Sequence, residues 1–331
     1  MKKQENLNKI ISNTISTKKK EYALIIGETP SSGARSPKLW NKVYRIQNKK
    51  TKMFPADISS KNLKILMNYL KLDDLFIGSA VTTPYKEVIL KYIESISLEA
   101  KTIGSINTIK KTNKKMIGYN TDYHGAKKSL TKFKKKKNIL IFGCGGAGKA
   151  VILASIKEFK NAFFYFYNRD KKKLSIFIKR LKLKNYKIID NNKILNLLNI
   201  DLAINCSSVG FNSWIFRNKR FYNLMYFTPL SNLNKVKGIH IKNGKEFLRK
   251  NRYLINQDRL NYLKFLDQNS NCEFFDIIYN PKMTKFLKLA KINSHKILNG
   301  QHMNLDQAVK AFCIVNNKEF KKINILMRKN G

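Results

Sequence analysis

Apolar residues along this chain come in two rhythms. Short unbroken runs, Tyr22-Ala23-Leu24-Ile25-Ile26 and Ile139-Leu140-Ile141-Phe142, read as strands buried on both faces. Runs at 75–78, 162–167, 187–189, 201–205 and 273–279 extend the series. Elsewhere apolar residues fall three and four apart. Trp40, Val43, Tyr44 and Ile46, then Leu63, Leu66, Met67 and Leu70, predict the apolar faces of one helix after Ser36 and another over 60–71. Ser36 before Pro37 suits a helix cap with proline at the first helical position. Further helices are expected over 122–133, 150–159, 171–183, 282–292 and 301–325, and one opened by Pro84. Residues 103–110 and 114–119 read as a hairpin. Strands alternating with helices predict an α/β fold with open, doubly wound sheets.

At 331 residues the natural division is into two domains. Residues 1–21 carry lysines at both ends and read as a frayed basic tail. Residues 211–271 are polar, rich in lysine and asparagine, and too long for an ordinary loop, so they read as an insertion.

Lysine and arginine exceed acidic residues by 66 to 21, a formal net charge of +45. Such a charge attracts anions. The basic residues are nevertheless scattered, Lys, Asn and Ile are abundant throughout, and no nucleic-acid motif stands out. The charge therefore reads as biased composition, with no specific nucleic-acid partner. No run approaches the ~18 apolar residues of a membrane span. The four cysteines and four histidines show no metal spacing, and the cysteine usage fits a reduced cytoplasm.

The run 139–142 leads into Gly143-Cys144-Gly145-Gly146-Ala147-Gly148, a G-x-G-x-x-G pattern followed by a helical stretch. The first glycine serves a tight turn, the second lets backbone approach a pyrophosphate, and the third lets helix pack on strand. About 20 residues on, NAD enzymes place a carboxylate for the ribose. Here Asn168 and Arg169 stand at that point, and a guanidinium favours the 2′-phosphate of NADP. Asp170 keeps NAD open as a shifted carboxylate. Lys86 lies after a strand and a proline, and Asp122 begins a helix. Such a pair can hand a proton to a developing alkoxide, while Asp122 alone reads equally as a helix cap. Thr82, Asn107 and Thr121 sit at strand ends, as ligand-binding and turn residues both do.

In their order these motifs resemble the shikimate dehydrogenase family. That family shows S-x-S-P, N-V-T-x-P-[FY]-K, G-[AS]-[VI]-N-T, N-T-D, G-x-G-G-A, N-R-T, N-[AC]-[ST]-S-x-G and N-G-x-x-M-x-x-x-Q-A. This chain carries Ala34-Arg35-Ser36-Pro37, Ala80-Val81-Thr82-Thr83-Pro84-Tyr85-Lys86, Gly104-Ser105-Ile106-Asn107-Thr108 and Asn120-Thr121-Asp122. It continues with the glycine turn, Asn168-Arg169-Asp170, Asn205-Cys206-Ser207-Ser208-Val209-Gly210, and Asn299-Gly300 through Gln307-Ala308. The resemblance covers about 22–210 and 272–325.

It implies a substrate-binding domain of 22–133 plus 282–331 and a Rossmann domain of 134–281 that binds NADP, with substrate in the cleft between them. The implied reaction is the reversible reduction of 3-dehydroshikimate to shikimate by a cytoplasmic monomer or homodimer. By resemblance, Lys86 supplies the proton and Asp122 orients it. Asp122 also holds substrate hydroxyls, Asn107, Thr82 and Gln307 bind ring hydroxyls, Thr121 contacts the substrate, and Ser36, Thr82 and Tyr279 surround the carboxylate. Gly143, Gly145, Gly146, Ala147, Gly148, Asn168, Arg169, Ser207 and Gly300 contact the cofactor. An NAD-using quinate/shikimate dehydrogenase and a catalytically weakened ligand-binding remnant are the alternatives. The remnant is motivated by Ala34 for the family's first loop serine, Ala80 for its asparagine, and the 211–271 insertion, which is foreign to the compact family. Arg35 beside Ala34 is a cation that would pair the carboxylate.

Overall fold

A computed structural model describes residues 7–18 and 20–328. They form two compact units, one running to Lys128 and resuming at Leu305, the other spanning 129–304. Residues 282–304, expected in the first unit, thus belong to the second.

The first unit is built on strands β1 (Tyr22–Gly27), β2 (Lys52–Asp57), β3 (Phe76–Val81), β4 (Ser95–Ile96), β5 (Thr108–Thr112) and β6 (Lys115–Tyr119), in the order β2-β1-β3-β5-β6-β4. β1 runs parallel to both neighbours, and β5 is antiparallel to β3 and β6. The unbroken apolar run of β1 has a direct cause. Tyr22, Leu24 and Ile26 enter one core with Leu66 and Met67, while Ala23 and Ile25 enter another with Trp40, Val43 and Phe312.

Four sequence expectations change here. Residues 7–18 are not a loose tail, because Leu7, Ile11 and Ile15 are buried in the first core. Asn13 also bonds Pro55 O at 2.9 Å and Asp57 N at 2.7 Å, covering the edge strand β2. β2 itself was not foreseen, since Pro55 interrupts it; as an edge strand it tolerates the missing N–H. No helix opens at Pro84. Residues 83–87 form a turn around a cis Thr83–Pro84 bond, followed by the 3₁₀ segment Val88–Tyr92. The helix Ser36–Ile46 likewise begins one residue early, with Arg35 at the cap and Ser36 inside the first turn.

The second unit holds β7 (Asn138–Phe142), β8 (Phe163–Tyr167), β9 (Tyr186–Ile188), β10 (Leu202–Asn205), a hairpin of β11 (Trp214–Arg217) and β12 (Arg220–Asn223), β13 (Glu273–Asp276) and β14 (Ile297–Leu298). Its main sheet is parallel, in the order β14-β13-β10-β7-β8-β9. Strand order reverses between β7 and β10, the switch point at which doubly wound sheets hold ligands. The stretch 211–271 contains the hairpin and the long helix Gly244–Gln268, which packs Tyr262, Phe265 and Leu266 against Phe274 and Phe286. Much of the expected insertion is therefore a layer of this unit. The last helical stretch breaks into Gln301–Asn316 and Phe320–Arg328.

Candidate active site

In the first unit, Lys86 leaves the 83–87 turn and Asp122 lies in the first turn of the helix Thr121–Leu130. Lys86 Nζ donates to Asp122 Oδ2 at 2.6 Å, with side-chain exposures of 19% and 7%. The lysine is fixed on both sides. Its carbonyl accepts Ile106 N at 2.8 Å, and the neighbouring Tyr85 hydroxyl donates to Ile58 O at 2.6 Å. Asp122 is not the helix cap. Asn120 Oδ1 accepts Tyr123 N at 3.2 Å, so the carboxylate is left to the ammonium, with the helix dipole favouring its charge.

Beside Asp122 lies a buried polar cluster. Asn107 Oδ1 accepts from Thr121 N at 2.7 Å, Thr121 Oγ1 at 3.1 Å and Thr108 Oγ1 at 3.1 Å. Gln307 Oε1 lies 3.3 Å from both Asn107 Nδ2 and Thr121 Oγ1. The two amide oxygens are thus engaged inward, leaving one N–H of Asn107 and the amide nitrogen of Gln307 as donors for a hydroxylated ligand. Trp40 Nε1 donates to Ala308 O at 3.3 Å, tying the helix that carries Ser36 to the helix that carries Gln307. Thr82 is seated by its N–H to Ile26 O at 2.9 Å; a Cβ on Gly27 would lie 2.4 Å from Thr82 Cγ2, so only glycine admits this approach. The departures Ala34 and Ala80 both pack on the apolar cluster around Trp40 and Phe312.

In the second unit, Gly145 caps the helix Gly146–Glu158 with no side-chain hydrogen bond and no acidic residue in the first turn. The positive end of the helix dipole therefore meets no competing carboxylate there, which suits an anion. Gly143 and Gly148 sit where only glycine fits. Gly143 has φ +94°, and a Cβ there would lie 2.8 Å from Ser207 N. A Cβ on Gly145 would meet nothing within 4 Å, so the backbone stands open to a pyrophosphate. A Cβ on Gly148 would lie 2.8 Å from Gly143 O, where helix meets strand. These residues fit a dinucleotide.

Asn168 Oδ1 accepts Cys144 N at 3.2 Å and so braces the turn, while Arg169 is exposed next to it. Asp170 caps the helix Lys171–Arg180, accepting Lys173 N at 2.9 Å. Ser207 follows β10, and its N–H and hydroxyl donate to Asn205 Oδ1 at 3.0 and 2.7 Å. Tyr279 is half-buried beyond β13. Gly300 presses on that same segment, where a Cβ would lie 2.0 Å from Ile277 O. Sequence reasoning did not single out Asn120 as the cap beside the lysine's partner, nor Asp276 and Thr284, which bond each other at 2.7 Å in the second unit. Among the described residues no group of His, Cys, Asp and Glu is placed to hold a metal, and no helix is long and apolar enough to cross a membrane.

A parallel dinucleotide fold with an open glycine turn, and a second α/β unit with a lysine–aspartate pair beside amide donors, define the architecture of a two-unit nicotinamide oxidoreductase. Comparison with known proteins gives the family. Residues 25–109 match the domain family described as the shikimate dehydrogenase substrate binding domain. A shikimate dehydrogenase (NADP(+)) of Clostridium botulinum is 33% identical over 238 residues, covering 71% of this chain and 73% of its own. One from Methanococcus aeolicus is 31% identical over 291 residues, covering 86% and 87%. Among solved structures, a shikimate dehydrogenase in complex with NADP+ aligns with a TM-score of 0.68 at 26% identity, over 95% of this chain and 96% of that one. The Aquifex aeolicus shikimate dehydrogenase aligns with a TM-score of 0.67 at 26% identity, over 96% and 100%. The chain belongs to the shikimate dehydrogenase family.

Proposed function

We propose that this protein is an NADP-dependent shikimate dehydrogenase that interconverts 3-dehydroshikimate and shikimate in the cytoplasm. The observation that carries this reading is the 2.6 Å contact of Lys86 with Asp122 beside the buried amides of Asn107 and Gln307. When bound, the nicotinamide would supply the hydride as NADPH and accept it as NADP+. Lys86 gives its proton to the ring oxygen as negative charge grows there during reduction, and takes it back during oxidation. Asp122 holds the ammonium in place and balances its charge. Asn107 and Gln307 donate to ring hydroxyls with Thr121 beside them, while Ser36, Thr82 and Tyr279 serve the carboxylate. A ligand lacking one of these hydroxyls would leave a buried donor unpaired, at about 1–3 kcal/mol.

Gly143, Gly145, Gly146, Ala147 and Gly148 form the pyrophosphate turn, with Asn168 and Ser207 beside it, Arg169 at the 2′-phosphate and Gly300 as a further cofactor contact. The capping of a helix by Asp170 supports NADP over NAD, because that carboxylate is already engaged. All four cysteines are free thiols, in keeping with a reducing compartment. The test is a set of initial rates with shikimate and with quinate, each with NADP and with NAD. Shikimate with NADP is expected to be the fastest pair; a preference for quinate with NAD would overturn the assignment.

A further inference from the structure

The carboxyl group of Asp276 is fully buried at the end of β13, and the reaction as described leaves it unused. Its Oδ1 accepts Ile278 N at 2.9 Å. Its Oδ2 accepts Thr284 Oγ1 at 2.7 Å and Asn205 Nδ2 at 3.1 Å. Asn205 passes the hold onward, because its Nδ2 also donates to Val209 O at 2.9 Å and its Oδ1 accepts both donors of Ser207. That loop lies against the glycine turn at Gly143. On the other side, Ile278 is the residue before Tyr279, and its carbonyl accepts Gly300 N at 3.1 Å. One carboxylate thus anchors the Ser207 loop, the approach to Tyr279 and the start of the helix Lys285–Ile292.

We propose that Asp276 is a positioning residue that sets the Ser207 loop and the Tyr279 segment together, so that NADP binding depends on whether this carboxyl is ionised. The proposal rests on reading Ser207 as a cofactor contact and Tyr279 as a substrate contact. Burial raises the pKa of Asp276 to about 7, against the three hydrogen bonds that favour the anion. The titratable groups facing it are the Cys206 thiol and the Tyr262 hydroxyl, which burial keeps neutral. As a carboxylate, Oδ2 accepts two hydrogen bonds. Once protonated, the group must itself donate. Thr284 can turn its hydroxyl to accept, but the Asn205 amide nitrogen cannot. The Asn205 link therefore loosens first, and the Ser207 loop with it.

NADPH titrations of the full chain at a series of pH values around neutrality test this, with Asp276→Asn and Thr284→Val alongside. In the wild type, affinity is expected to weaken several-fold as pH falls through about 7. Ionisation of the ligand's own phosphate is common to all three proteins and cancels in the comparison. Asp276→Asn should bind about tenfold more weakly above that point, from one lost charge-assisted bond, and should lack the step. Its KM for shikimate should rise as well, whereas Ser207→Ala should weaken NADPH alone. Thr284→Val removes a donor that favours the anion, so the step should move to higher pH.

Thermal unfolding gives a readout free of ligand. The raised carboxyl stabilises the fold below its unfolded value of 3.8, and that contribution is lost as pH rises to about 7. Wild type should therefore lose stability relative to Asp276→Asn across that window. Identical pH dependence of NADPH binding in wild type and Asp276→Asn, or an unmoved step in Thr284→Val, would overturn the proposal. Should Asp276→Asn not fold, the Thr284→Val shift decides it. Turnover is read separately, so a wild type without turnover counts against the assigned function, and the titration alone decides the network.

Discussion

The polar cluster of the first unit is made of side chains that already bond one another, whereas the glycine turn of the second offers bare backbone. Asn107, Thr121, Gln307, Lys86 and Asp122 are each held by a named partner before any ligand arrives. At the turn, a Cβ on Gly145 would meet open space and the cap residue brings no side chain to the helix N-terminus. A site built from side chains fails when a side chain is exchanged. A site built from backbone fails when a side chain is added. The contrast shows how a chain with such skewed composition keeps its chemistry: lysine and asparagine can accumulate on the surface as long as these two small sets are spared.

The largest expected effect is on the side-chain site. Lys86→Ala should lower kcat for 3-dehydroshikimate reduction by roughly a thousandfold, within the range for a lost general acid, while NADPH affinity stays at its wild-type value. Next comes the backbone site, where the direction of change reverses. Gly145→Ser adds a good capping residue into open space, so the melting temperature should hold or rise, while NADPH affinity falls by about tenfold or more as the new hydroxyl takes the N–H groups. Gly143→Ala should instead destabilise the fold by roughly 1–3 kcal/mol, since its φ of +94° and the nearby Ser207 N leave no room for a methyl group. A Gly145→Ser protein with unchanged NADPH affinity would break the comparison.

Arg169→Ala should shrink the preference for NADP over NAD by about tenfold, the worth of one charged hydrogen bond. The smallest effect concerns the two departures. Ala34→Ser should lower KM for shikimate about fivefold by restoring one hydrogen bond of ~1 kcal/mol. Ala80→Asn should cost stability, because the alanine is 8% exposed against an apolar cluster. A KM unmoved by Ala34→Ser would mean that the carboxylate is held by other groups.

The glycine turn was legible in the sequence because backbone demands leave a spaced signature, and Gly143 and Gly148 sit where the turn and the helix–strand contact require glycine. The lysine–aspartate pair was not legible from spacing, since Lys86 is one lysine among many and its partner lies 36 residues away. Its placement after a strand and a proline raised it, and the order of family motifs singled it out. The helix Gly244–Gln268 was hidden because its inner face includes Asn251 and Asp258. Asn251 clamps the backbone of Lys237 with bonds of 2.8 and 2.9 Å, and Asp258 binds Thr228 and Lys285, so polar residues occupy positions where the periodicity expects apolar ones. The buried stripe Leu7, Ile11 and Ile15 was masked in the same way by lysines and asparagines around it. The turn at Pro84 misled because proline opens helices and also serves tight turns.

The most direct measurement follows NADPH consumption by the purified chain on addition of 3-dehydroshikimate, with NADPH binding titrated in the same preparation. The account predicts saturable oxidation of NADPH that depends on 3-dehydroshikimate and reverses with shikimate and NADP. A folded protein that binds NADPH and leaves it unoxidised at saturating 3-dehydroshikimate would contradict it.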